Sequence, residues 1–143
     1  MIIYTVGQKP VLKQIGGKAY NLAHLSNISV NVPKWFALTS ICFDDFIYEH
    51  REEYFKLLDN YSEANRKKII KLIEATDFTD DTKKKVLAQI AKTFDKKDLL
   101  SVRSSATDED GKKHSFAGML ESYLYVKQSE DIFKYFVEEI CLI

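Results

Sequence analysis

The sequence predicts a mixed α+β fold, a small β-sheet packed by several helices, and three observations carry that expectation. Four short runs read as strands: Ile2-Ile-Tyr-Thr-Val6 and Trp35-Phe-Ala-Leu38, the strand-sized apolar segment Leu99-Leu-Ser-Val102, and the β-branched and aromatic Ser122-Tyr-Leu-Tyr-Val126. Longer segments between them repeat apolar residues at helical spacing, most clearly Val86, Leu87, Ile90, Ala91 and Phe94. The composition is globular, with 45% hydrophobic and 13% aromatic residues and only five Gly and two Pro in 143 residues, a single-domain length.

In chain order, a first strand at 2–6 is followed by a turn over Gly7 to Pro10. Gly16-Gly17 then introduces Lys18-Ala-Tyr-Asn-Leu-Ala-His-Leu25, where Ala19, Leu22, Ala23 and Tyr20 share a helical face, so Gly-Gly-Lys stands at a helix N-terminus. Val30-Asn-Val-Pro33 is extended, because the residue before Pro is pushed out of the helical region, and it leads into the strand at Trp35–Leu38. Thr39 or Ser40 is positioned to cap a helix carrying Phe43, Phe46, Ile47 and Tyr48. Helical spacing continues around Tyr54, Leu57 and Leu58, over Ser62 to Ala75, and from a Thr79 cap to Phe94, with Asp80 and Asp81 near the positive end of the dipole. Lys83-Lys-Lys85 reads as a solvated face. Ser129 is placed to cap a last helix with Glu130 and Asp131 in its first turn and Ile132, Phe133, Phe136, Val137, Ile140 and Cys141 facing inward. That apolar helix stops without a C-cap or a polar tail, so the chain is expected to be the truncated front piece of something longer.

Charge excludes some functions. Lys plus Arg equals Asp plus Glu at 21 each, so no global field favours nucleic acid or an anionic membrane. Single-stranded nucleic-acid binding through Lys96, Lys97, Lys112 and Lys113 is disfavoured because these cations are few and compensated. No run of 18 apolar residues is present and Met1–Val6 lacks the basic flank of a signal peptide, so a cytoplasmic location is the simplest expectation. Cys42 and Cys141 stand in apolar surroundings without metal spacing and read as reduced core residues.

Two stretches carry chemistry. Between the third and fourth strands lies a polar loop of roughly fifteen residues, long for a compact domain unless it is functional or disordered. Arg103 stands at its start, followed by Ser104, Ser105 and Thr107, with Gly118 near its end. Arg presents a planar fork of donors suited to phosphate oxygens, hydroxyls add donors, and Gly permits close backbone approach. The alternative is a surface loop with one solvated Arg. Gly16-Gly17-Lys18 offers the positive end of a helix and a Lys in the first turn, an anion-binding geometry, though without the upstream Gly and following hydroxyl of a P-loop. Its alternative is a turn with a solvated lysine.

Taken together, these stretches resemble the N-terminal part of the ATP-binding domain shared by phosphoenolpyruvate synthase, pyruvate phosphate dikinase and rifampin phosphotransferase. Gly16-Gly-Lys-Ala-Tyr-Asn-Leu22 resembles that family's Gly-Gly-Lys-Gly-Ala-Asn-Leu, and Ile28–Thr39 resembles its following strand region. Val102-Arg-Ser-Ser-Ala-Thr-Asp-Glu-Asp110 and Ser115-Phe-Ala-Gly-Met-Leu-Glu-Ser122 resemble its signature, in the same order and spacing. The departures are Ala19-Tyr20 for Gly-Ala, Lys34-Trp35 for Pro-Gly, and Gly111-Lys-Lys-His114 for a Leu-Pro-containing stretch.

The resemblance implies that residues 1–143 form the first lobe of an ATP-grasp domain. It assigns ATP phosphate contacts to Lys18, Arg103, Gly118 and Ser122, with Ser104, Ser105 and Thr107 as supporting hydroxyls. No catalytic residue and no metal ligand are assigned to this chain. Glu109 and Asp110 fix the loop, and the Mg²⁺ ligands and adenine pocket come from a second lobe. His114 is an exposed loop histidine, since the family's phosphohistidine belongs to a separate domain. His24 and His50 have no partner that would make them ligands or bases. The implied function is the ATP-binding part of a dikinase-like phosphotransferase, partnered by ATP, the remaining lobe and the phosphohistidine domain, with no nucleic acid or membrane partner. The alternative is a non-catalytic, stand-alone interaction module derived from that lobe and binding another chain through its last helix.

Overall fold

A computed structural model describes residues 1–28, 30–105 and 122–141. Their order is β1 (Ile3–Thr5), α1 (Leu12–Asn27), β2 (Phe36–Leu38), α2 (Ser40–Phe46), α3 (Arg51–Asp59), α4 (Glu63–Ala75), α5 (Asp80–Thr93), β3 (Leu100–Arg103), β4 (Ser122–Val126) and α6 (Ile132–Cys141). The mixed α+β expectation holds, with the strands forming two antiparallel pairs, β1 with β2 and β3 with β4.

Alternation along β1 and β2 explains how the layers stack, since successive residues of a strand point to opposite faces. Tyr4 pairs with Ala37, and this face receives Ile15, Ala19 and Ala23 of α1 together with Tyr20 and Trp35. The Tyr4 and Trp35 rings lie 5.6 Å apart, and the Trp35 indole N–H donates to Ser26 Oγ on α1 at 3.1 Å. Ile3, Leu38 and Phe36 alternate to the other face and join the main core, formed by Cys42, Phe46, Ile47, Ile73, Phe78, Val86, Ile90, Leu100, Val102, Val126, Ile132 and Phe133. The first sheet is thus held between α1 and the main core.

Local capping follows the sequence at α5 and departs from it in two other helices. Thr79 accepts from the Thr82 amide, so α5 starts at its expected cap, and Ser62 accepts from the Asn65 amide at the start of α4. Thr39 stands at the N-cap of α2, but its hydroxyl donates to the Met1 carbonyl at 2.8 Å, because the adjacent β1–β2 pairing brings that acceptor within reach. Tyr48 falls in a short 3-10 turn after α2 rather than in the helix. At the last helix Ser129 Oγ turns to Asp131 at 3.2 Å, and Glu130 and Asp131 form a turn that precedes α6. In the α5 stripe Val86 and Ile90 are buried, Leu87 and Phe94 pack against the core, and Ala91 is exposed. Lys83 and Lys85 pair with Asp77 and Asp81, and those hydrogen-bonded carboxylates raise both lysine pKa values.

The β3–β4 ladder contains a bulge. Leu100 pairs with Val126 and Val102 with Tyr123, so β4 holds one extra residue between the two pairs, and Tyr125 takes φ +59° there. The bulge keeps Val126 on the core face and leaves Leu124 and Tyr125 exposed. Beyond it, Arg103 pairs with Ser122. At the other end of the hairpin the Gln128 amide donates to the Asp95 and Asp98 carbonyls at 2.6 and 3.0 Å.

Phe78 joins the helices, its ring 4.6 Å from Phe46, 5.4 Å from Phe133 and 6.4 Å from Phe136. Phe78→Ala is expected to cost about 3–5 kcal/mol, read by chemical denaturation. Burial, with a smaller effect from Asp45, pushes the Cys42 thiol up to about 12. The folded chain therefore holds this proton more tightly than the unfolded chain, whose thiol titrates near the ordinary value of about 8.5. The resulting stabilisation is complete below that value and lost as pH rises through the folded pKa. In a Cys141→Ser variant, Cys42 should resist a thiol reagent at pH 8 until the chain is unfolded.

Candidate functional site

The site begins with a break in α1. Leu12 to Ile15 form a first turn, with the Gln14 and Ile15 amides donating to the Val11 carbonyl, and the helix is then interrupted at Gly16 with φ 73° and ψ 171°. That conformation is essentially restricted to glycine. A new helical run starts at Gly17 and carries Lys18 in its first turn, as the Gly-Gly-Lys spacing predicts.

The second strand pair meets the first helix at this break. A Cβ built on Gly16 would lie 1.6 Å from the carbonyl oxygen of Ser105 and 2.7 Å from its Oγ, so the two backbones touch with no room for a side chain. The Ala19 amide donates to Ser105 Oγ at 2.9 Å across 86 positions of sequence. Ser105 follows β3 by two residues, so the end of β3, where Arg103 pairs with Ser122, is tied to the start of the helix that carries Lys18.

Side chains alternate along β3 and into the following residues. Leu100, Val102 and Ser104 are buried, while Arg103 and Ser122 are exposed and Lys18 is half-buried. Ser104 Oγ is buried without a hydrogen-bond partner among the described residues. Ser105 uses its hydroxyl as an acceptor on α1, a role no local sequence signal reveals, because its partner is 86 positions away. The structure thus gathers Lys18, Arg103, Ser104, Ser105 and Ser122 from α1, β3 and β4 at one end of the hairpin. Thr107 and Gly118, with Glu109, Asp110 and His114, lie outside the described residues. His24 stands in the last turn of α1 with its ring edge-on to Tyr20 at 4.6 Å, and His50 ends the 3-10 turn. A cleft lined by Glu74, Asp77, Lys83, Glu130 and Lys134 lies elsewhere, among α4, α5 and α6, and none of the gathered residues lines it.

Residues 12–141 match the pyruvate phosphate dikinase, AMP/ATP-binding domain, and the chain belongs to that family. It is 33% identical over 133 residues to a probable phosphoenolpyruvate synthase of Methanocaldococcus jannaschii, covering 84% of this chain and 11% of that protein. It is 33% identical over 130 residues to a rifampicin phosphotransferase of Bacillus subtilis, covering 83% of this chain and 15% of that protein. A prodigiosin synthesizing transferase of Serratia marcescens is 33% identical over 122 residues, covering 83% of this chain and 13% of the relative. The chain therefore spans less than a fifth of the length of these relatives.

Lys18, near the positive end of a helical run, is a point charge, and the exposed Arg103 is a planar fork of donors, so the two cations differ in geometry. Among the described residues no cluster of three or more His, Cys, Asp or Glu could hold a metal ion, and no helix is long and apolar enough to cross a membrane.

Gly16→Ala forces a Cβ into the Ser105 carbonyl at a positive φ. We expect it to separate the helix from the strand end and to destabilise the fold by about 3 kcal/mol or more, while Gly7→Ala, whose Cβ would meet nothing within 4 Å, costs about 1 kcal/mol through φ alone. Parallel denaturation of the two variants checks the difference.

Proposed function

We propose that this chain is the first lobe of an ATP-grasp nucleotide site, holding ATP phosphates within a phosphotransferase of the phosphoenolpyruvate synthase and dikinase type. The phosphate passes to a histidine of another domain and then to an acceptor chosen outside this chain. The observation that carries the reading is the contact of Ser105 with Gly16 and Ala19, which brings the Lys18 helix to the Arg103–Ser122 strand end. In this reading Lys18 and Arg103 offset phosphate charge, Gly118 offers close backbone, Ser122 adds a hydroxyl, and Ser104, Ser105 and Thr107 support them. The second lobe supplies the adenine pocket and the Mg²⁺ ligands, and the protein works in the cytoplasm.

In-line phosphoryl transfer depends on positioning from both sides of the nucleotide, so one lobe binds weakly and catalyses nothing by itself. The relatives named for synthase and phosphotransferase activities are several times longer than the match, which supports a division of labour among domains. An interaction module working through its last helix is less well supported, since Ile132 and Phe133 of α6 are buried in the core and Phe136, Val137 and Ile140 pack against it.

Titration of the chain with Mg²⁺-ATP, followed by amide chemical shifts, tests the reading. The expected result is a dissociation constant on the order of millimolar, with shifts centred on Lys18, Ala19, Arg103 and Ser122, weakened about tenfold by Lys18→Ala or Arg103→Ala. Shifts confined to other surfaces, or none, would count against it.

A further inference from the structure

Helices leave their first N–H groups without intrahelical partners, and a Ser, Thr, Asp or Asn at the N-cap ordinarily satisfies the amide two or three residues on. In the run that begins at Gly17 the N-cap position falls on Gly16, which has no side chain, and the third helical amide is that of Ala19. Ser105 Oγ accepts from that amide at 2.9 Å. Gly16 cannot be exchanged for a capping residue, because the Ser105 carbonyl occupies the place of its Cβ. The same close approach that removes the local cap delivers a substitute from the strand end.

We propose that Ser105 is a positioning residue for Lys18: its hydroxyl caps the Lys18 helix from the end of β3, so that Lys18 and Arg103 are set in one frame by a single contact. This rests on the phosphate reading above and adds to it a hydroxyl that acts on α1 rather than on the ligand. Capping fixes the first helical turn, the turn that carries Lys18, while Ser104 alone separates the capping residue from Arg103 at the end of β3. Loss of the hydroxyl frees the turn and lets the two cations drift apart without removing either.

The test compares wild type, Ser105→Ala, Ser105→Thr, Lys18→Ala and the Ser105→Ala/Lys18→Ala double variant. Each is titrated with Mg²⁺-ATP and with adenosine, and hydrogen exchange is followed at the Ala19 amide. Ser105→Ala is expected to speed exchange at Ala19 and to weaken Mg²⁺-ATP about three- to tenfold, with Ser105→Thr restoring both, while adenosine, whose pocket the second lobe supplies, binds none of the variants. In the Lys18→Ala background Ser105→Ala should add no further loss, the mark of two residues acting through one interaction. A full additive loss without Lys18 would reduce Ser105 to a structural cap and overturn the proposal. Unchanged exchange at Ala19 in a chain whose ATP binding still depends on Lys18 would remove the cap and leave the phosphate reading standing. Wild type binding ATP no better than adenosine, with Lys18→Ala silent, would instead sink the phosphate reading and the positioning role with it. Should Ser105→Ala not fold, Ser105→Cys keeps the volume, weakens the acceptor and serves in its place.

Discussion

The backbone of Ser105 runs against Gly16 so closely that a single methyl group would not fit between them. This contact joins two packing units. On one side, Ile15, Ala19 and Ala23 seat α1 on the Tyr4–Ala37 face of the first sheet. On the other, Leu100, Val102 and Val126 seat the β3–β4 hairpin in the main core. Each unit is fixed by apolar burial, which is strong but has no preferred direction. A directional interaction is needed to set how the end of the hairpin meets the start of the helix. The excluded volume at Gly16 and the hydrogen bond from Ala19 provide it.

The two parts of that contact differ in kind. The steric part is permissive and absolute: glycine alone takes φ 73° with ψ 171° and leaves the space empty, and any side chain there must displace backbone. The hydrogen bond is worth only about 1 kcal/mol, yet it distinguishes one orientation of the helix from its neighbours. Stability at this junction is therefore governed by Gly16, and alignment by Ser105.

Much of the architecture is legible in the sequence because it is set by near neighbours. The β4 strand falls on Ser122–Val126, the residues whose composition marks it, and Ser62 and Thr79 cap α4 and α5 because their acceptors need only an amide three positions on. Except at Ser129, whose hydroxyl turns to Asp131 two positions on, the departures involve distant partners. Thr39 bonds the Met1 carbonyl 38 positions away rather than its own helix, and Tyr125 adopts a left-handed conformation because two strands need an extra residue to keep Tyr123 and Val126 in register with β3. Tyrosine carries no local preference for that conformation, so the bulge is invisible until the hairpin partner is known. The candidate site divides in the same way. Lys18 at a helix start and Arg103 at a strand end are readable from spacing, whereas the contact of Ser105 with Gly16 and Ala19, which joins their supports, is a fact of tertiary structure.

A chain with equal numbers of acidic and basic side chains has no global field with which to gather a polyanion, so capture must depend on where a few cations sit. On the proposed reading those cations are Lys18 and Arg103, borne by elements belonging to different packing units. Coulomb attraction varies slowly with distance, and a loosely held pair would still attract phosphate. Phosphoryl transfer asks for more, because a displacement of about 1 Å in a positioning group can cost a hundredfold in rate. The demand therefore falls less on the charges than on the neutral contact between their supports. It is met where glycine lets two backbones touch and a serine hydroxyl completes a helix that has no cap of its own.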